Sequence, residues 1–302
     1  VKYIKLAAID IGSNSIRLLI TNVIFTPAHT YYRKVSITRL PVRLGEDVFK
    51  TGIISKENTA RLTDAMRAYK FVMKVNGVAD VRACATSAMR EAKNGASLVR
   101  KIARKTGITI DVIDGEEEAR LVFLSKIFDT IHPTEKNFVY IDVGGGSTEL
   151  TLWIDGQIKA SRSFKIGTVR MLNGFDTPEE WAQMKQWITA NVAGIDDLAM
   201  IGSGGNINKV HKLSGKLLGE PLSLRYLNKQ LKTLSALTTE ERVTQLGLNF
   251  DRADVIAHAL RIYTLATQWA GTQQMYVPKI GVSDGIVRDL YHRLYREKLE
   301  AE

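Results

Sequence analysis

A short pattern occurs twice in this chain at a domain-sized separation: Ile9-Asp10-Ile11-Gly12-Ser13-Asn14-Ser15 near the start and Ile141-Asp142-Val143-Gly144-Gly145-Gly146-Ser147 in the middle, with Ile, Asp, Gly and Ser in register. Apolar runs flank each copy, Leu6 to Ile9 and Ile16 to Ile20 around the first, Phe138 to Ile141 and Leu150 to Ile154 around the second. Such runs on either side of small polar residues read as two strands joined by a tight turn. A lone Asp-x-Gly is most simply a Gly/Ser hairpin turn. Two copies are what a duplicated fold leaves behind, and they imply two half-sites facing each other.

With 302 residues the chain has room for one large domain or two of ordinary size, and the repeat favours two. A content of 45% hydrophobic and 25% charged residues with six prolines excludes a disordered chain. The single cysteine, Cys84, excludes an internal disulfide, lies in an apolar run and reads as a buried structural thiol in a reducing cytoplasm. The most apolar stretch, Ile4 to Phe25, is broken by Lys5, Asp10, Asn14 and Arg17, so neither a membrane span nor a signal peptide is expected. A net charge of +10 makes polyanions plausible partners. Much of that charge sits on stretches such as Lys101 to Lys105 and Arg288 to Lys298, where solvated helix faces are the default. With no RNA-binding aromatic signature, zinc-finger spacing or basic zipper, no specific nucleic-acid partner is expected.

Both halves alternate strands with helices, which predicts a mixed α/β architecture. In the first half, a third strand spans Tyr31 to Leu40 and is followed by Arg43-Leu44-Gly45-Glu46. Ser55 is placed to cap a helix whose Leu62, Ala65, Met66, Tyr69, Val72 and Met73 recur at helical spacing. A strand through Val81 to Thr86, a helix closed by Gly107, a strand over Ile108 to Ile113 and a helix opening at Glu116 complete it. The second half repeats the pattern from Phe138, and the predicted domains are 1–125 and 126–302, with the last helix free to pack back on the first.

The small turns can present successive backbone N–H groups to a phosphate, and an adjacent Asp can hold a metal ion or its water shell. No Lys follows Gly12 or Gly144 to Gly146 in the P-loop manner, and the third glycine of a dinucleotide fingerprint is replaced by Ile207 or Glu149. The strand-to-loop junction Gly202-Ser203-Gly204-Gly205-Asn206 is a third candidate contact, a nucleotide loop or only a tight connection. In Asp114-Gly115-Glu116-Glu117-Glu118-Ala119-Arg120, Asp114 and Glu117 have capping-box spacing, which marks a helix start. The functional alternative turns one carboxylate inward as a general base. Glu118, beside Leu121, Val122 and Phe128, is best placed for that. Arg90, with Ser87 between a strand and a helix, can clamp a phosphate or make a surface ion pair, and Arg17 and Arg43 share the ambiguity. Asp142 with Glu149, assisted by Asp10, can hold a divalent cation such as magnesium; alternatively Asp142 only caps its turn. His29, His132, His211, His258 and His292 lack zinc-ligand spacing.

Taken together, Ala8 to Arg17, Ala85-Thr86-Ser87-Ala88-Met89-Arg90, Gly115 to Arg120 and Asp142 to Glu149 resemble the exopolyphosphatase/guanosine pentaphosphate phosphatase family, with Gly167-Thr168-Val169-Arg170 and Gly281 to Gly285 extending the likeness over nearly the whole chain. The resemblance implies an actin-like (ribonuclease H-like) duplicated fold, two α/β domains with an active-site cleft between them. It implies Glu118 as the residue that activates water, with Glu117 the weaker candidate, and phosphate binding by Gly12, Ser13, Asn14, Ser15, Gly144, Gly145, Gly146, Ser147 and Thr148. Arg90 would bind the phosphate chain, and Asp142 and Glu149 would hold magnesium. The expected substrate is inorganic polyphosphate, or alternatively guanosine pentaphosphate. Long members of the family carry a further helical domain resembling HD phosphohydrolases, and this chain ends before it. A groove for long polyphosphate is then missing or supplied by a second subunit, and a homodimer is the oligomer to expect. Two other classes compete: an actin-like ATP-binding protein or sugar kinase, for which no sugar-binding segment is evident, and a non-catalytic polyphosphate or nucleotide sensor, against which the joint presence of Glu118, Asp142 and Glu149 argues.

Overall fold

A computed structural model describes residues 2–26, 29–127, 131, 133 and 135–295. Phe128, His132 and the part of the basic 288–298 stretch beyond Tyr295 lie outside the described residues. The chain divides into two compact units, one running to Ser125 and resuming at Gly281, the other spanning Lys126–Ile280.

The first unit opens with the expected hairpin, β1 (Lys2–Ile11) and β2 (Ile16–Phe25), paired antiparallel from Ile11 opposite Ile16 to Lys2 opposite Phe25. β3 (Thr30–Leu40) adds to β2, and β4 (Asp80–Ala85) and β5 (Ile110–Val112) run parallel on the other side, giving the order β3-β2-β1-β4-β5. Helix Lys56–Val75 starts at Ser55, whose hydroxyl accepts from the Asn58 N–H, and buries Leu62, Ala65, Met66, Tyr69 and Met73 along one stripe. These side chains cover Ile9, Ile11, Leu18 and Ile20 of the hairpin in one apolar core. Helix Gly95–Thr106 ends at Gly107, which takes the left-handed conformation (φ 77° is matched at Gly52; here φ is 75°) that spares a Cβ penalty. Helix Leu44–Thr51, absent from the sequence reading, begins directly after Arg43, itself left-handed with φ 56°.

The second unit repeats this plan. β6 (Asn137–Val143), β7 (Thr148–Ile154) and β8 (Gln157–Phe164) form the antiparallel side, and β9 (Leu198–Ser203) and β11 (Gln274–Tyr276) the parallel side. With the short β10 (Leu222–Ser223) at the edge the order is β10-β11-β9-β6-β7-β8, which without β10 is the order of the first sheet. Helices Pro178–Val192, Gly205–Leu213, Leu224–Ala236 and Ile256–Trp269 supply Ile188, Ile207, Leu227, Leu260 and Tyr263 to its core.

Helix Val282–Leu294 lies in the first unit, so the second ends at Ile280 rather than at the last residue. It packs on β1 and on helix Gly115–Leu124. The two helices cross so tightly that any Cβ at Gly285 would overlap the Leu121 backbone carbonyl, which reserves that position for glycine.

Candidate active site

The two hairpin turns are built alike. Gly12 N–H donates to Ser15 O at 3.1 Å, and Gly144 N–H donates to Ser147 O at 2.9 Å. Each turn is then held by the segment that follows the third strand of its sheet. In the first unit Gly45 N–H donates to Ser13 O (2.8 Å) and Arg43 N–H to Asn14 O (3.0 Å). In the second, Thr168 N–H donates to Gly144 O (3.0 Å), Val169 N–H to Gly145 O (2.8 Å) and Arg170 Nε to Gly146 O (2.8 Å). With these turn carbonyls engaged, what the turns offer an anion is chiefly backbone N–H groups, the make-up of a phosphate nest.

Several predicted phosphate residues of the first unit are brought together. Ser13 and Ser87 are both buried and share a hydroxyl–hydroxyl bond of 2.8 Å, joining the hairpin turn to the start of helix Ser87–Glu91. The Ser15 hydroxyl accepts from Arg39 Nε at 3.1 Å. Arg90 donates through Nη1 to the Ile113 carbonyl (2.6 Å), which places it beside the start of the Glu118 helix, whereas Arg43 pairs with Glu46 at 2.7 Å. In the second unit Thr148 donates to Ile166 O at 2.6 Å, and Arg170, 7% exposed, lies beneath the Gly144–Ser147 turn.

Across β1–β2, Asp10 stands opposite Arg17, and their side chains pair at 3.5 Å. Burial pushes the Asp10 carboxyl above its ordinary range, and Arg17 pulls it back. Across β6–β7 the equivalent partners are Asp142 and Glu149. Asp142 accepts from Ser203 Oγ (3.3 Å) and Tyr140 OH (3.4 Å), while Glu149, 4% exposed, accepts from Ser147 Oγ (2.5 Å) and Ser163 Oγ (3.0 Å). Gly204, at φ 120°, lies against this group: a Cβ there would be 3.4 Å from Asp142 Oδ1. Gly205 begins helix Gly205–Leu213. Like charges directly opposite in a hairpin repel, and a hard divalent cation relieves them with few carboxylates when phosphate and water supply the other oxygens. The donor set of Asp142 and Glu149 therefore fits magnesium. Asp10, the third predicted ligand, already has Arg17, and no group of three or more His, Cys, Asp or Glu side chains forms a ready-made metal cluster among the described residues.

The three consecutive glutamates of helix Gly115–Leu124 meet different surroundings. Glu116 is exposed and Glu118 is buried at 8% exposure. Asp114 caps the helix by accepting from Glu117 N–H at 2.8 Å, but the Glu117 carboxylate turns to Arg120 (2.6 and 2.8 Å) and Arg82 (3.1 Å). The bonds from Arg120, with those from Arg82, hold its pKa down at about 2, which suits a permanent ion and not a proton acceptor. Of the two predicted catalytic carboxylates, Glu117 is tied into ion pairs and Glu118 is the more buried.

Sequence reasoning did not see that Gly45 and Gly167 are equivalents. A Cβ at Gly45 would lie 3.2 Å from Ser13 O, and one at Gly167 only 2.5 Å from Gly145 O, so each keeps a glycine to let the chain approach its turn. The signal was present as Leu44-Gly45 and Ile166-Gly167 after each third strand. Cys84 is buried, and burial pushes its thiol up to about 12, in keeping with an inert thiol. His211 is buried with Nε2 3.1 Å from Glu220 O, and burial lowers its pKa and that of His258.

A sequence model described as the Ppx/GppA phosphatase family matches residues 23–294. The chain belongs to the Ppx/GppA phosphatase family. As a Ppx/GppA member it is a phosphatase. It is 29% identical to exopolyphosphatase 2 of Mycobacterium tuberculosis over 319 aligned positions, covering 95% of this chain and 98% of that protein. It is 25% identical to exopolyphosphatase 1 of the same organism, covering 85% and 79%. Among solved structures, an exopolyphosphatase from Cytophaga hutchinsonii superposes with a TM-score of 0.83 at 23% identity, covering 96% of this chain and 98% of that one. A Ppx/GppA family member from Aquifex aeolicus gives 0.77 at 23% identity, covering 98% and 100%. The two mixed sheets are thus those of the actin-like Ppx/GppA fold. No helix among the described residues is long and apolar enough to cross a membrane.

Proposed function

We propose that this Ppx/GppA protein is a magnesium-dependent exopolyphosphatase that removes the terminal phosphate of inorganic polyphosphate. The observation that carries the reading is the pair of like-built turns with unlike charges beside them, Asp10 with Arg17 and Asp142 with Glu149. The names of the mycobacterial relatives support the substrate class. In this reading backbone N–H groups of Gly12 to Ser15, Ser87 and Gly144 to Thr148 hold phosphate oxygens, aided by Arg17, Arg43 and Arg90. Asp142 and Glu149 are the residues to hold magnesium, which when bound neutralises phosphate charge. Glu118 accepts the proton of a water that attacks the terminal phosphorus, and the bond to the bridging oxygen breaks, releasing orthophosphate and a chain one unit shorter. Phosphoryl transfer leaves little covalent work to the protein, so positioning and charge neutralisation carry the rate.

The test is phosphate release from polyphosphate of graded length, guanosine pentaphosphate and ATP, with magnesium, by wild type and Glu118→Gln. Polyphosphate is the expected best substrate, and the variant should be slower by about 10²- to 10⁴-fold. A variant as fast as wild type would overturn the base; faster release from guanosine pentaphosphate would move the substrate to that nucleotide; release from none would replace the enzyme with a sensor.

A further inference from the structure

Helix Val282–Leu294 is tied to the first unit at successive turns. Asp284 pairs with Lys34 of β3 at 2.8 Å, and the Arg288 guanidinium lies 4.0 Å over the Tyr32 ring. One turn after Gly285, on the face that meets helix Gly115–Leu124, comes Asp289, 3% exposed. Its carboxylate accepts from Arg82 Nη1 (2.7 Å), Arg120 Nη2 (2.8 Å) and Arg293 Nε (2.8 Å). Arg82, on β4, also reaches Glu117 and Asp111 at 3.1 Å, and Arg120 grips Glu117 with two bonds. The hub joins a strand of the sheet, the last helix and the helix that carries Glu118.

We propose that Asp289 is a positioning residue for Glu118: through Arg82, Arg120 and Glu117 it fixes the rotation of the first turn of helix Gly115–Leu124. The inference rests on Glu118 as the base. Successive residues on a helix point about 100° apart, so a lock on Glu117 also sets the direction of its neighbour. Gly285 lets the two backbones touch, and Asp289 prevents the turn so placed from rolling. A displacement of about 1 Å at a reacting group can cost about 10²-fold in rate, whereas substrate affinity, held by the turns, should not follow.

The experiment compares Asp289→Asn, Glu118→Gln and the double variant for kcat and KM on polyphosphate with magnesium, with circular dichroism to check the fold. Arg120→Gln is made in parallel to break the same bridge from its more exposed side, should Asp289→Asn not fold. The expected result is a kcat lowered about 10- to 100-fold with KM within about twofold of wild type, and a double variant no slower than Glu118→Gln alone. A folded Asp289→Asn with wild-type kcat, or a loss that persists in full on the Glu118→Gln background, would overturn the positioning role while leaving the base intact. A fully active Glu118→Gln would overturn both.

Discussion

In the β1–β2 hairpin the residue opposite Asp10 is Arg17; in β6–β7 the residue opposite Asp142 is Glu149. The turns beside these pairs close with the same Gly-to-Ser bond, and a neighbouring glycine segment supports each. The duplicated fold thus asks only for the turn, and the cross-strand pair is where the halves diverge. The first pair neutralises itself. The second sets two carboxylates opposite each other, with the hydroxyls of Ser147, Ser163 and Ser203 donating to them. Equivalent positions hold an acid–base pair in one hairpin and an acid–acid pair in the other.

The sharpest way to break this contrast is Glu149→Gln, which keeps an acceptor for both serine hydroxyls but removes the charge. Phosphate release should fall about 10²- to 10³-fold, the largest effect expected among changes to the two hairpins and their supports, and magnesium should no longer raise Tm, as followed by calorimetry with and without the ion. An undiminished magnesium shift would mean that Glu149 is no part of the cation site. Next come the supporting glycines. Gly167→Ala drives a methyl into turn backbone at 2.5 Å, whereas the tightest contact of Gly45→Ala is the Phe49 ring, which can swing aside. Urea denaturation should give losses of about 2–3 kcal/mol for the first and about 1 kcal/mol for the second. Equal losses would show the two supports to be interchangeable.

The contrast is probed electrostatically by Arg17→Met, which strands Asp10. Because Arg17 is 37% exposed, solvent already weakens the pair, and the loss should be about 1–2 kcal/mol at pH 7. The sign with pH follows from the raised Asp10 pKa. An acid whose folded pKa lies above its unfolded value favours the fold below the unfolded pKa, near 3.8, and loses that benefit as pH rises through the folded value. Without Arg17 the folded value climbs further, so the deficit should shrink as pH falls toward 4. Adding Asp10→Asn should recover most of it, and a deficit flat with pH would show that the pair is not electrostatically coupled.

The repeat was legible because both copies keep apolar strands around an Asp-x-Gly turn, and from the hairpin register Asp10–Arg17 and Asp142–Glu149 follow almost directly. Ser55 and Gly107 were readable as helix ends because capping is local chemistry. Helix Leu44–Thr51 was not, since eight residues are too few to show a period. The fate of Glu117 was hidden as well. Its tie depends on Arg82 and, through Arg120, on Asp289 far along the chain, and no window around Gly115 to Arg120 contains either. Its apolar neighbours already set Glu118 apart in the sequence, whereas the ion pairs that hold Glu117 are visible only in the packing.

Helix Val282–Leu294, which completes the first unit, is made after the whole of the second. On a ribosome, Lys126–Ile280 is contiguous and can fold as it emerges, while the first hairpin, complete at Phe25, waits roughly 15 to 55 seconds, at about 5–20 residues per second, for the helix that covers β1. During that wait the β1 face that the helix covers, and the Arg82 and Arg120 that await Asp289, stay open to chaperones and to neighbouring chains. Synthesis order thus reverses assembly order: the half translated first is the half finished last.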